Sequence, residues 1–178
     1  MSARVLSVAL PKISSAFIAS GREVPTGALY TCVLLLHVAC AVVGFGAMVI
    51  TGIQAGRARH GPTSAHAQAV RRYFGPGVNW AARAIYLVPV FGFALLGASG
   101  GKFDASDSFV LAGLGLWGAA AVVAETVLWP AERRIQRVVR GDWRPGEALG
   151  GDCRRVVGAA WFLVLVFAGA TLVMFARP

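Results

Sequence analysis

Four apolar runs, each long enough to cross a bilayer, leave this chain little choice of environment: Ala28 to Ile53, Ala81 to Ala98, Phe109 to Trp129 and Val156 to Ala176. At 1.5 Å per residue the third and fourth each reach about 31 Å, against a hydrocarbon core of about 30 Å. In lipid, backbone N–H and C=O groups must be bonded within the segment itself, so runs of this kind fold as helices. Composition agrees. The 178 residues are 57% hydrophobic and 14% charged, with a mean hydropathy of +0.66, whereas soluble domains run near 45–50% and about 25%. A water-soluble enzyme, a disordered tail and a collagen-like fibre are excluded. The expectation is an all-α, four-transmembrane-helix bundle: a single membrane domain over residues 28–176, preceded by an unassigned N-terminal arm over 1–27.

Loop charge orients the bundle. The 57–79 connection carries Arg57, Arg59, Arg71 and Arg72 with no acid, and the 131–155 connection carries seven Arg. The short 99–108 turn has one Lys and two Asp. The positive-inside rule therefore places both Arg-rich loops in the cytoplasm and both termini outside, in the inner (plasma) membrane. Trp80 and Trp129 fit an aromatic belt at that interface. The net charge of +9 belongs to these loops, so anionic inner-leaflet lipids are the expected partner and nucleic acid is not.

After the third span, Pro130 suits a first helical position, Glu132 falls in the first turn, and Arg133, Arg134, Arg137 and Arg140 follow. Ile135, Val138 and Val139 form an apolar stripe, and Gly141 ends the run. This reads as a basic amphipathic cytoplasmic segment lying on the inner leaflet, its four guanidinium groups on lipid headgroups. A solvated charged loop that only sets topology is the plainer alternative.

Ionisable groups inside the spans are few, and each needs a partner. Glu125 sits about 6 Å inside the Trp129 boundary, and Arg83 enters span two at similar depth from the same side, so the two are natural partners. Gly115, Gly118, Ala121 and Val122 form a small-residue face beside Glu125, of the kind that packs against other helices. His37 shares a face of span one with Cys40, Gly44 and Met48. Imidazole binds haem iron or copper, and a thiol suits copper(I). His37 and Cys40 are thus the candidate cofactor ligands; a histidine hydrogen-bonded to a neighbouring helix is the alternative. His60 and His66 read as solvent-facing, Pro89 should kink span two, and the three cysteines give no disulfide framework. No phosphate-binding glycine loop, nucleophile elbow or H-E-x-x-H motif occurs.

Leu34-Leu35-Leu36-His37-Val38-Ala39, then Gly44-Phe45-Gly46, then Leu128-Trp129-Pro130-Ala131-Glu132-Arg133-Arg134 resemble a family of small predicted integral membrane proteins of unknown function, common in actinobacteria. The resemblance covers about residues 28 to 176, and the Arg-over-Lys bias of the basic residues fits such a high-GC host. That family looks distantly similar to four-helix membrane proteins including copper-resistance protein D domains and a haem-associated protoporphyrinogen oxidase. The resemblance implies the four-helix fold and a metal or haem role for His37; the oxidase-like branch's lysine within a span has no counterpart here. The expected function is a structural or accessory subunit without catalysis or cofactor, alone as a homo-oligomer or within a larger membrane complex. Its rivals are a haem- or copper-binding protein using His37 and a small-solute or proton carrier working past Pro89 and Glu125.

Overall fold

The computed structural model describes residues 27–59, 64–75, 77–141 and 149–176. The N-terminal arm, apart from residue 27, lies outside this set, as does His60. The described residues contain helices and turns but no strand. Helix α1 spans Ala28–Arg59, α2 Ser64–Tyr73 and α3 Trp80–Arg83. A 3₁₀ turn over Ala84–Tyr86 leads into α4, Leu87–Ala98. Helix α5, Ser108–Val123, runs through a π turn at Ala124–Leu128 into α6, Trp129–Arg140, and α7 covers Leu149–Ala176. Four stretches are long and apolar enough to cross a membrane: Ala28–Arg59, Trp80–Ala98, Ser108–Val139 and Gly150–Ala176.

The spine of the bundle is the α1–α7 pair. Helix α4 packs on α1 and α5 packs on α7, so two consecutive spans lean on different members of the central pair. Glycines set how closely α1 approaches its neighbours. A Cβ on Gly44 would lie 2.7 Å from the Ile85 backbone nitrogen, and one on Gly52 would collide with the Ala160 methyl group of α7. Both glycines admit a neighbouring helix to backbone range, the small-residue contact by which membrane helices gain van der Waals attraction. Gly46, on another side of α1, has nothing within 4 Å of such a Cβ.

Two of these helices outrun the membrane. Helix α1 and the Ser108–Val139 stretch each contain 32 residues, about 48 Å of helix against a core of about 30 Å. The surplus lies at the Arg-rich end and carries its own apolar core: Ala55, Val70, Phe74, Ala131, Ile135, Val139, Cys153 and Val156. A separate core inside the spans joins Phe45, Met48, Ile85, Ala124, Leu128, Leu163 and Val166. Leu35, Val42, Val90, Phe93, Leu165 and Leu172 remain exposed, as side chains facing lipid do. At the opposite end, the turn after α4 is closed by Gly100 and Gly101, whose φ values of 63° and 80° fall in the left-handed region that glycine tolerates.

Three sequence expectations change here. The basic segment after span three is no separate helix: it continues that span without a break, and Ile135 and Val139 of its apolar stripe face the protein's own core. Trp129 is buried among helices, whereas Trp80 is exposed. Among the described residues, no helix packs on the face of Gly115, Gly118 and Val122: a Cβ on either glycine meets nothing within 4 Å, and Val122 is exposed.

Gly44→Ala and Gly52→Ala should each lower thermal stability in detergent, by about 1–3 kcal/mol if the helices must part. Gly46→Ala should be neutral or slightly stabilising, since alanine is the better helix former where there is room. Equal effects at all three positions would remove the close-approach account.

Candidate functional site

Polar side chains of the spans meet on the second span, and the reason begins with Pro89. A proline has no N–H, so the carbonyl four residues back, that of Ile85, loses its helical donor. The chain tightens there into the 3₁₀ turn Ala84–Tyr86. The indole Nε1 of Trp117, reaching across from α5, donates to the Ile85 carbonyl at 2.9 Å. One turn further along, the imidazole Nδ1 of His37 lies 2.9 Å from the carbonyl oxygen of Val88. A carbonyl only accepts, so this contact places the ring proton on Nδ1 and leaves Nε2 with its lone pair. A Cβ on Gly92 would lie 3.4 Å from the ring's Cε1, so glycine at that position leaves space for the imidazole.

Arg83 and Glu125 meet as their depths predicted, with Arg83 Nη1 3.6 Å from Glu125 Oε1. The Tyr86 hydroxyl donates to the same carboxylate oxygen. The Arg83 guanidinium also lies over the Trp129 ring, its central carbon 3.5 Å from the centroid, where the ring's negative face attracts a cation. Arg83 is 25% exposed and Glu125 52% exposed, so the pair opens toward the outside of the bundle.

Glu125 faces outward because of the π turn. Pro130 deprives the Thr126 carbonyl of its donor, and the Trp129 N–H bonds instead to Ala124 O, five residues back. On an unbroken α-helix, residues seven apart share a face, at about 100° per residue. The extra residue of a π turn rotates the following helix by roughly 100° relative to that register. Glu125 is therefore exposed while Glu132, seven residues on, is 6% exposed in the interior.

Around Glu132 runs a layer of polar side chains that the sequence reading did not single out. The Thr51 hydroxyl donates to Ala47 O at 3.0 Å and lies 2.7 Å from the Tyr73 hydroxyl. Asn79 Nδ2 donates to Thr51 Oγ1 at 3.4 Å, while Asn79 Oδ1 caps α3 by accepting from the Ala82 N–H at 3.2 Å. Burial pushes the Tyr73 hydroxyl above its ordinary value, so it stays protonated. The signal for Glu132 lay in helical spacing: Leu128, Ile135 and Val139 stand four before, three after and seven after it, which puts it on the apolar stripe.

The remaining candidates are dispersed. Cys40 is half-buried one turn from His37, and Met48 is buried three turns deeper. Among the described residues no group of three or more His, Cys, Asp or Glu comes together. The set that the described residues offer to a haem or copper is thus one imidazole Nε2 and one thiol, fewer ligands than either needs. Arg133, Arg134 and Arg137 are exposed on α6, and Arg134 reaches Asp152 of α7 at 3.4 Å. Arg140 ends α6, with its side chain outside the described set, as is that of His66. No family profile, curated protein or solved structure matches the chain.

Trp117→Phe should destabilise the bundle by about 1 kcal/mol, because it removes the indole hydrogen bond to the Ile85 carbonyl. In a Pro89→Ala background, where residue 89 again supplies an N–H, the same change should cost less. For the ion pair, Glu125→Gln and Arg83→Gln should each lower stability and together cost less than their sum, with a coupling above about 0.3 kcal/mol. Strict additivity would separate the two residues.

Proposed function

We propose that the protein is a structural or accessory subunit of the plasma membrane, a four-helix bundle without chemistry of its own. One observation carries the reading: polar groups within the spans are spent on joining helices. His37 ties α1 to α4, Trp117 ties α5 to the turn before α4, and Arg83 with Tyr86 holds Glu125. Such interhelical bonds typically contribute about 0.6 kcal/mol each, up to about 1.7. The resemblance to small actinobacterial membrane proteins belongs to the same reading. The Arg-rich end faces the cytoplasm with N- and C-termini outside, and exposed Arg133, Arg134 and Arg137, with Arg140, contact anionic inner-leaflet headgroups.

A haem- or copper-binding role for His37 is the second reading, and the fixed tautomer favours it. Ligating imidazoles characteristically donate their other N–H to a carbonyl or carboxylate, as Nδ1 does here to Val88. The further ligands such a site needs are not among the described residues of this chain, which makes native membranes, with any partner chain in place, the proper sample. On the structural reading, difference spectra and metal analysis of native membranes and of purified protein are unchanged by His37→Gln. Loss of a haem band or of bound copper with that substitution would replace the first reading by the second.

Orientation has its own test. Cys153 is fully buried and cannot report on sidedness, so all three native cysteines are replaced. A membrane-impermeant maleimide applied to intact spheroplasts should label Ser106→Cys and spare Arg72→Cys, both at exposed positions. The opposite pattern would invert the bundle and remove inner-leaflet lipid as the partner of the Arg loops.

A further inference from the structure

Two exposed indoles mark where lipid headgroups begin at the Arg-rich end. Trp80 of α3 is 77% exposed and Trp161 of α7 is 65% exposed, and tryptophans on the outside of a membrane bundle gather at its interfaces. Trp161 stands between Ala159 and Leu163, which share a core with Leu128 and Trp129 of the third span. Trp161 and Trp129 therefore lie at about one level. Trp80 precedes Arg83 by one turn, and the Arg83 guanidinium returns toward that level by lying over the Trp129 ring. A long cationic side chain near the end of a span brings its charge to the headgroups in this way.

The Arg83–Glu125 pair thus opens outward close to headgroup depth, and it is only partly satisfied. A guanidinium carries five N–H donors. Among the described residues, those of Arg83 meet Glu125 Oε1 at 3.6 Å, longer than a hydrogen bond, together with the Trp129 face and the neighbouring Tyr86 hydroxyl. Most of the five are left without an acceptor. Glu125 Oε1 takes the Tyr86 hydroxyl, while no hydrogen bond from a described residue reaches Oε2 of this half-exposed side chain. Side by side on the outer surface stand a cation lacking acceptors and an anion lacking a donor. In lipid each needs a partner.

We propose that Arg83 and Glu125, with Trp80 one turn away, bind the headgroup of a phospholipid that carries both a phosphate and a primary ammonium, as phosphatidylethanolamine does. The spare guanidinium N–H groups donate to the phosphate oxygens, which the planar fork matches bidentately. The lipid ammonium donates to Glu125 Oε2. Pair and headgroup are each net neutral, so every charge is met and none is left over in a medium where an uncompensated charge is costly. An anionic headgroup without an amine satisfies Arg83 but is repelled by Glu125. A choline headgroup brings the positive charge without an N–H to donate. A second copy of the chain also carries both charges, yet it arrives only by assembling, whereas headgroups surround the bundle at this depth. The inference goes beyond the helix-joining role of the pair, using the donors and the acceptor which that role leaves free.

Native mass spectrometry of the full-length protein tests the site, with phosphatidylethanolamine, phosphatidylcholine and phosphatidylglycerol of identical acyl chains titrated in detergent. The wild type should bind phosphatidylethanolamine first, about tenfold more tightly than phosphatidylcholine, the weight of one charge-assisted hydrogen bond. Glu125→Gln should abolish that preference and leave phosphatidylcholine binding as before. Arg83→Lys, which keeps the charge but not the fork, should weaken phosphatidylethanolamine binding without changing the order of the lipids. Arg137→Gln, at an exposed position on α6, should leave the preference intact. Equal affinities for the ethanolamine and choline lipids in the wild type overturn the proposal without recourse to any variant. So does a preference that survives Glu125→Gln. Displacement of the lipid by soluble phosphoethanolamine at equal concentration would make the ligand a free metabolite, and a wild-type dimer lost in Glu125→Gln would give the face to a second copy; either result also overturns it. Stability coupling between positions 83 and 125 without any headgroup preference would keep the helix-joining role and remove this one.

Discussion

The carbonyl of Ile85 loses the amide that a regular α-helix would offer it, because the residue four places on is Pro89, and a backbone N–H at the end of the 3₁₀ turn bonds to it instead. In water such a carbonyl would turn to solvent; in lipid it must find a donor in the protein or remain a standing cost. Much of the arrangement around span two follows from how it is met. The chain tightens into a 3₁₀ turn whose closing backbone N–H bonds to it, and Trp117 crosses from α5 to supply a second N–H. That bond joins the second and third spans, which otherwise lean on different members of the α1–α7 spine. Gly44 lets α1 come within backbone range of the same turn, so three spans converge on a single residue, Ile85. Arg83 lies just before it and Tyr86 at its end, which puts both within reach of Glu125.

A second proline performs a different task. Pro130 interrupts the hydrogen-bond ladder of the long third span, and the helix answers with a π turn rather than a kink or a stop. The consequence is rotational. Residues before the turn keep one face toward the core and residues after it present another, so a single continuous helix exposes Glu125 and buries Glu132. Both acids feel the same guanidinium, yet one is paired and half in the open while the other is buried. Without the extra residue the two would share a face.

The number and placing of the spans were legible because apolar runs of bilayer length have few alternatives. The Arg83–Glu125 pair was legible because equal depth from one interface is a simple count along a helix. The turns made by Pro89 and Pro130 were only half readable. A proline announces that a carbonyl is freed, but the answer depends on which side chain of another helix lies opposite, and Trp117 is 32 residues away from Ile85. Glu132 was missed for a related reason. Beside four arginines it reads as part of a charged surface, and its spacing from Leu128, Ile135 and Val139 matters only once those residues are known to face protein. The bare face of Gly115 and Gly118 shows the converse error: small residues permit a close helix contact but do not require that it be made within the same chain.

The buried polar layer lies between two apolar cores, and its position along each helix makes this plain. On α1, Thr51 falls between Met48 of the core within the spans and Ala55 of the core at the Arg-rich end. On the third span, Glu132 falls between Leu128 and Trp129 of the first core and Ile135 of the second. Helix α2 enters the second core through Val70 and Phe74 and touches the layer through Tyr73. A charge in this plane is therefore felt on both sides: by the spans through Arg83 and Trp129, and by the core at the Arg-rich end through Tyr73, which packs on that core and bonds to Thr51. Interiors are close-packed and yield little, so a change of charge or hydration there cannot be absorbed by one core alone. The same polar plane that separates the two cores is what mechanically connects them.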